Sequence, residues 1–295
     1  MQPTVTPFFH APTGTWTYVV EDPQSRQAAV VDPVLDYDWR SARTGTAAAE
    51  AVLGHLKSRG LELAWILETH AHADHLSSAA WLQSQAGGKI AIGEGIREVQ
   101  ATFKRIFGLG DGFVPDGSQF DRLLADGDTL PLGTLEGRVL ATPGHTSDSV
   151  SYLFGDALFV GDTVFMPDGG TARCDFPGGD AAELYLSVQK LYALPPGTRV
   201  FVCHDYSPGG RKPLCETTIA AQRQENIHLR ADTPGPDFVA MRRARDVTLD
   251  VPNLIIPSVQ VNIRAGHLPP AEPDGVSYLK VPLNLIGRPL PASRP

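Results

Sequence analysis

Short apolar runs alternate with segments of helical periodicity through the first third of the chain. Apolar runs typical of strands occupy 15–20, 28–31, 61–67 and 89–92. Helical spacing of apolar residues spans 47–58, with Gly60 as a stop signal, and a second helical pattern covers 76–85. Strands and helices therefore follow one another along the chain.

The same alternation continues to about residue 250. Further apolar runs predict strands over 119–124, 137–142, 150–154, 157–160 and 199–203. Asp180 with Glu183 resembles a capping box and predicts a helix start. Two more helices are expected over 214–230 and 236–248, whereas the glycine-rich segment 107–118 is typical of a loop.

This order of elements indicates an α/β protein built in layers. The chain has 295 residues and shows no internal repeat or low-complexity linker. We expect one catalytic domain over residues 1–250. Residues 251–295 are proline-rich and irregular in pattern, and we expect them to form a C-terminal extension that packs on the same domain.

Composition excludes several classes of protein. Hydrophobic residues make up 42% and charged residues 20%, as in ordinary globular proteins, and the net charge of −8 comes without a basic patch. We therefore expect no nucleic-acid partner. No apolar run approaches the ~18 residues of a membrane helix. The N-terminus lacks a signal-peptide pattern, and the three cysteines fit a reducing compartment, so a cytoplasmic location is expected.

A cluster of histidines follows the third predicted strand. His70, His72, Asp74 and His75 lie within six residues, directly after the apolar run 61–67. Imidazole and carboxylate groups are the ligands that divalent metals use in proteins. Ligands in open α/β sheets bind beyond the carboxyl ends of strands. The segment therefore predicts a metal site.

Three more candidate ligands lie downstream, each at the end of a predicted strand: His145, Asp162 and His204. Taken singly, a histidine after a strand is usually an ordinary loop residue, and Gly-Asp is usually a turn. Together with the first cluster they indicate one metal centre. His10, His55, His228 and His267 receive no predicted role.

This order and spacing of ligands resembles the metallo-β-lactamase superfamily, over roughly residues 8–230. The resemblance implies an αβ/βα sandwich of two mixed β-sheets flanked by helices, with the metal at one edge. In binuclear members one metal takes the residues matching His70, His72, His145 and Asp162. The second metal takes those matching Asp74, His75, His204 and the shared aspartate.

Residues 172–179, Ala-Arg-Cys-Asp-Phe-Pro-Gly-Gly, are similar to a segment of persulfide dioxygenases, the branch that contains the ethylmalonic encephalopathy protein. His204-Asp205-Tyr206 is similar as well. The resemblance implies one Fe(II) per chain, held by His70, His145 and Asp162, and surrounded by His72, Asp74, His75 and His204. It implies glutathione persulfide and O2 as substrates, sulfite and glutathione as products, and glutathione contacts from Arg173, Tyr206 and Thr146.

Some alternatives remain open on the sequence. Relatives often carry Thr where this chain has Cys174, which we expect to be a small packed residue. A binuclear hydrolase of glyoxalase II type, cleaving a glutathione thioester, would use all seven ligands. A non-enzymatic metal-holding sensor is a third reading, and a dimer or tetramer is open. Arg242, Arg243 and Arg245 are expected to form a solvated helix face.

Overall fold

Six strands from the first half of the chain form a mixed sheet: β1 (Thr4–His10), β2 (Thr15–Glu21), β3 (Gln27–Val31), β6 (Glu62–Leu67), β8 (Lys89–Gly93) and β9 (Arg122–Leu124). Their order in this computed structural model, which describes residues 2–287, is β1-β2-β3-β6-β8-β9. β3, β6, β8 and β9 run parallel. The carboxyl ends of β3 and β6 therefore meet at one edge of the sheet.

Six later strands form a second sheet in sequence order: β10 (Thr129–Leu132), β11 (Leu135–Ala141), β12 (Val150–Phe154), β13 (Ala157–Phe159), β14 (Arg199–Phe201) and β15 (Glu216–Thr218). β12 is antiparallel to both β11 and β13, and β13 is parallel to β14. β11, β13 and β14 consequently point the same way, and their carboxyl ends share an edge. A small sheet of β4 (Val34–Asp38), β5 (Arg43–Gly45) and β7 (Leu76–Ser77) completes the strands of residues 2–287.

The helices are α1 (Ala47–Arg59), α2 (Ala79–Ala86), α3 (Ile96–Ile106), α4 (Ala181–Tyr192), α5 (Ile219–Glu225), α6 (Gly235–Asp246) and α7 (Ile255–Asn262), with a short 3-10 turn at Pro208–Gly210. Two predicted end signals operate as expected. Gly60 closes α1 in the left-handed conformation at φ 61°, and the Asp180 carboxylate accepts hydrogen bonds from the amides of Ala182 and Glu183 at the start of α4.

The two large sheets pack face to face with helices on their outer faces. Alternate residues of both sheets, including Val20, Val31, Leu67, Tyr152 and Phe159, form the core between the sheets. The opposite face of the first sheet packs against α1, α2, α3 and α7, and that of the second against α4, α5 and α6. The predicted αβ/βα sandwich is confirmed.

Two predicted helices differ from the structure, and α3 is an additional element. Residues 76–77 form strand β7, and the helix expected over 76–85 begins only at Ala79. The helix expected over 214–230 is confined to α5, because residues 216–218 pair as an edge strand with β14. Helix α3 was not predicted; its buried residues Ile96, Val99 and Phe103 lie on one face at helical spacing.

The C-terminal segment is more regular than its sequence suggests. α7 places Ile255 and Val259 in the core beneath the first sheet, together with Ile263. A division of the chain at residue 250 stays a prediction, and residues 288–295 lie outside the described part. None of the helices within residues 2–287 has the length and apolar character needed to cross a bilayer.

Candidate metal centre

The segment that carries the first cluster is a tight loop between β6 and β7. His70, His72 and His75 in this loop are each at most 1% exposed. The loop is held from outside by Asp148, whose Oδ2 accepts a hydrogen bond from the amide of Ala71 at 2.8 Å. Burial without regular structure requires such partners, because unpaired backbone groups are costly.

His145, Asp162 and His204 reach the same place from the loops that follow β11, β13 and β14. Gly161 allows the close approach of two of these loops. Its φ is +52°, and a Cβ there would lie 2.5 Å from the hydroxyl oxygen of Thr69. A larger residue would therefore separate Asp162 from the histidine loop.

Three of the predicted ligands form one compact set, which we call the three-residue group: His70, His145 and Asp162. One ligand atom from each lies within 4.8 Å of the others. The Nε2 atom of His145 is 3.6 Å from Asp162 Oδ2, and the rings of His70 and His145 are 5.0 Å apart.

The other four predicted ligands lie beside it and are called the four-residue group: His72, Asp74, His75 and His204. The Nε2 atom of His204 is 3.1 Å from Asp74 Oδ2 and 3.4 Å from Asp162 Oδ1. Asp162 thus offers one carboxylate oxygen to each group. Cys203, which the sequence did not single out, has its sulfur within 4.8 Å of ligand atoms of His72, His75 and His204.

Six buried atoms of these two groups make no hydrogen bond within residues 2–287. They are His70 Nε2, His72 Nδ1, Asp74 Oδ2, His75 Nε2, Asp162 Oδ1 and His204 Nε2. Buried polar atoms are normally paired, because each unpaired one costs about 1–3 kcal/mol. Lone pairs of nitrogen and carboxylate oxygen that converge at one place fit a bound divalent cation. All seven predicted ligands are brought together, as the sequence predicted.

In each histidine of the centre, the ring nitrogen that is not the candidate ligand atom has a polar neighbour. His70 Nδ1 lies 3.1 Å from the Thr69 hydroxyl, and His145 Nδ1 donates to the carbonyl oxygen of Arg173 at 2.7 Å. His204 Nδ1 lies 3.3 Å from the hydroxyl of Thr15. These contacts fix the ring orientations before any metal arrives.

Asp32 is the central residue behind the loop, although no predicted role was given to it. Its carboxylate accepts hydrogen bonds from the amide and hydroxyl of Thr69, at 2.7 and 2.9 Å, and from His72 Nε2 at 3.0 Å. Glu68 Oε2 is 3.7 Å from the same nitrogen. Burial raises the pKa of Asp32 to about 6 and raises that of Glu68 well above its ordinary value. The one signal in the sequence was the Asp-Pro pair that ends β3.

Electrostatics keep most of the imidazoles ready for a metal. Burial lowers the pKa values of His70 and His72 well below the ordinary histidine value, so both rings are neutral at pH 7. A metal ligand must be unprotonated. For His204, burial acts to lower the pKa, but the carboxylates of Asp162 and Asp74 outweigh it and raise the value.

A cavity of about 470 Å³ opens onto both groups. His145 and Asp162 line it from the three-residue group, and Asp74 and His204 from the four-residue group. Its other walls include the aromatic residues Phe165, Phe176 and Tyr206, the arginines Arg173, Arg242 and Arg245, His228, the carboxylates of Asp168 and Asp205, and apolar residues such as Ile227 and Leu249. Its volume lies within the ~300–1,000 Å³ usual for small-molecule sites.

Two of the three predicted substrate contacts line this cavity. Arg173 lies 5.1 Å from the ring centroid of Phe176, and its guanidinium donates to both Asp175 oxygens and to the carbonyl of Asp250. The ring of Tyr206 stacks on His204 with centroids 5.6 Å apart. Thr146 is not a lining residue; it is buried with its hydroxyl 2.6 Å from that of Ser149, so its contact with substrate stays a prediction.

Arg243 and Arg245 of α6 are exposed, as expected for a solvated helix face, whereas Arg242 is not. Arg242 is 1% exposed and donates to Asp246 and to the carbonyl of Thr171, because α6 packs this side against the cavity wall. Arg245 is exposed at the cavity. His228 accepts from the Thr171 amide through Nδ1, and burial together with Arg242 and Arg245 lowers its pKa to about 4. Its proton therefore lies on Nε2.

Cys174 is a packed residue, as expected. It is 7% exposed within the core beneath α4, and burial raises the pKa of its thiol far above the usual range. A neutral thiol is a poor nucleophile. Its amide donates to Asp246, which links this segment to α6.

Comparison with known proteins agrees with this geometry. The profile of the metallo-β-lactamase superfamily matches residues 10–204. A probable metallo-hydrolase of Burkholderia pseudomallei is 51% identical over 96% of this chain and 100% of its own length. Glyoxylase B2 of Dictyostelium discoideum is 48% identical over 93% of this chain and 94% of its own.

Relatives of lower sequence identity are named as persulfide dioxygenases. The mitochondrial persulfide dioxygenase ETHE1 of Bos taurus is 30% identical over 89% of both chains. The crystal structure of ETHE1 from Myxococcus xanthus superposes with a TM-score of 0.70 at 30% identity, covering 90% of this chain and 100% of that one. The fold, the converging ligands and these relatives lead to one conclusion: the chain belongs to the metallo-β-lactamase superfamily.

Proposed function

We propose that this protein is a persulfide dioxygenase that holds one Fe(II) per chain at His70, His145 and Asp162. In the overall reaction, glutathione persulfide, O2 and water give sulfite and glutathione. The observation that carries the proposal is the three-residue group itself, with two imidazoles and one carboxylate beside an open cavity. Two histidines and a carboxylate on one face are typical of non-haem Fe(II) oxygenases. The ETHE1 relatives support the same reaction.

The residues of the chain would bind and orient the substrate. The arginines that line the cavity suit the carboxylates of a glutathione conjugate. Arg173 is the predicted contact, although it already faces Asp175, so a substrate carboxylate would compete with that pair. When bound, Fe(II) supplies the redox chemistry between O2 and the terminal sulfur.

The four-residue group would serve the site without a second metal. His204 lies between Asp74 and Asp162, where a protonated imidazole would be stabilised by both carboxylates. It would hold a proton beside the cavity, and Asp74 would accept hydrogen bonds from water there. Phe165 and Phe176 exclude water from the remaining walls.

A second candidate function is a binuclear hydrolase of glyoxalase II type. Asp162 offers one oxygen to each group, as a bridging ligand would, and the relatives at 48–51% identity are named as a metallo-hydrolase and a glyoxylase. In that case His72, Asp74, His75 and His204 would hold the second ion, and the two ions would supply the Lewis-acid chemistry for hydrolysis of a thioester.

Metal analysis of the purified protein and two activity assays distinguish these functions. Protein purified without oxygen and loaded with iron is supplied with glutathione persulfide, and O2 uptake and sulfite are measured. About one iron per chain with O2 uptake supports the dioxygenase. Two zinc ions per chain with hydrolysis of a glutathione thioester, and no O2 uptake, would establish the hydrolase. Iron binding with neither activity would favour the sensor.

A further inference from the structure

The C-terminal extension reaches the metal-binding loop through one buried side chain. Asn262, the last residue of α7, is 4% exposed. Its Nδ2 donates to the carbonyl oxygens of His72 and His75, both at 2.8 Å, and its Oδ1 accepts from the amide of Ser77 at 2.8 Å. These partners are 185–190 residues away in sequence.

Asn262 directs its N–H donors at this loop and its carbonyl oxygen at strand β7, which follows it. An amide side chain has two N–H donors and one carbonyl acceptor, and here the contacts use both kinds of group. The carbonyls of His72 and His75 follow directly from the α-carbons that carry the two rings. Fixing these carbonyls therefore restricts the backbone dihedrals that aim His72 Nδ1 and His75 Nε2, the unpaired atoms of the centre.

The helix that carries Asn262 is itself immobilised. Ile255 and Val259 of α7 are buried in the core beneath the first sheet. Gly266, just beyond the helix at φ +82°, allows the chain to touch the same loop, since a Cβ there would lie 2.9 Å from the Ser77 carbonyl. A rigid support of this kind can transmit position to the loop.

We propose that Asn262 is a positioning residue of the metal centre, which sets the spacing of His72 and His75. It acts through these two residues and lies behind the loop, so it does not itself bind metal or substrate. The inference rests on the presence of a metal at this centre. In a hydrolase His72 and His75 would bind the second ion, and in a dioxygenase Asn262 would act through the loop that these residues share with the iron ligand His70. It assigns the C-terminal extension a role in metal binding.

The same helix offers a matched control. Gln260 is 1% exposed and also makes three hydrogen bonds: Nε2 donates to the carbonyls of Ile256 and Lys280, and Oε1 accepts from the amide of Lys280. These contacts fasten the extension to α7 without touching the metal-binding loop. A Gln260→Leu variant therefore disturbs the extension to a similar degree and leaves the loop contacts intact.

The experiment compares N262L, N262D and Q260L with the wild type, using Co(II) as the probe. Metal-free protein is titrated with Co(II), and the visible spectrum and affinity are recorded alongside the thermal unfolding of the metal-free form. We expect N262L and N262D to bind Co(II) about tenfold or more weakly, with a changed spectrum, because groups behind a ligand typically contribute 10–100-fold. Q260L should bind like the wild type while losing comparable thermal stability.

N262D covers the case in which N262L does not fold, because it keeps the acceptor for Ser77 and the shape of the side chain. Wild-type affinity and spectrum in N262D would overturn the proposal. Equal weakening in Q260L would overturn it too, since it would show a purely structural role. A wild type that takes up no Co(II) would refute the metal centre itself, whatever reaction the protein catalyses.

Discussion

The three-residue group and the four-residue group differ in what lies behind and between their ligands. Neutral groups support the first: the Thr69 hydroxyl behind His70 and a backbone carbonyl behind His145. The second has carboxylates on both sides, with Asp32 behind His72 and Asp74 beside His204. The four-residue group therefore has more carboxylates beside and behind its ligands.

Under the proposed dioxygenase function, this difference would allow the four-residue group to remain without an ion. The 3.1 Å separation of His204 and Asp74 allows the four-residue group to balance its own charge by protonating His204. In the three-residue group, Asp162 lies 3.6 Å from His145, and its other oxygen lies 3.4 Å from His204. The comparison therefore predicts unequal results when each group is altered.

The largest effect is expected from Asp162→Ala. The change removes the one carboxylate of the three-residue group and the oxygen that faces His204. Bound iron should fall from about one per chain to near zero, and O2 uptake should disappear with it. Iron content by elemental analysis checks this result. Asp156→Ala, in the turn that precedes β13, is the control; iron retained in the Asp162 variant would contradict the ligand assignment.

Asp32→Asn should have the next largest effect, because it keeps the shape of the side chain but removes the charge that holds Thr69, whose hydroxyl lies behind His70, and that faces His72. Metal affinity should fall by about 10–100-fold, measured by competition with a chelator. Asp22→Asn provides a matched control, since Asp22 is also buried, directly follows β2, and bonds Thr134 away from the centre. An unchanged affinity in D32N would show that this support is dispensable.

Arg173→Gln should raise the KM for glutathione persulfide about tenfold, because a charge-assisted hydrogen bond contributes about 1.5–3 kcal/mol. Iron content should not change, since the Arg173 carbonyl that holds His145 belongs to the backbone. Steady-state kinetics measure the effect. Arg245→Gln is the comparison. A larger rise in KM in that variant would show that Arg245, and not Arg173, contacts the substrate carboxylate.

The smallest effect on metal content is expected from His204→Ala. This variant distinguishes the three-residue group from the four-residue group most clearly. One iron per chain should remain, because the three-residue group keeps all its ligands. Turnover should decrease, since a proton donor beside the cavity is lost. His55→Ala, which alters a histidine paired with Glu21 at a distance from the centre, is the control. Loss of one of two bound metals in H204A would instead support the binuclear hydrolase.

Features that depend on local sequence were predictable. The strands β2, β3 and β12, the ends of α1 and α4, and the convergence of the seven ligands all followed from residues close together in the chain or from strand ends. The prediction of a helix over 214–230 was wrong in part, because residues 216–218 pair with β14 and this pairing overrides helical propensity. The burial of Arg242 could not be predicted either, because the residues that it contacts depend on how α6 packs against the rest of the protein.

The sequence by itself determined which side chains could bind a metal, because the seven ligand types and their order can be read along the chain. Only the tertiary structure decided which groups stand behind those ligands. Asp32, Thr15 and Asn262 come from distant segments, and apart from the Asp-Pro pair that begins at Asp32 no periodicity or motif marks them. Hydrogen bonds of this kind arise from the packing of sheets and helices, so their partners become known only once the chain has folded.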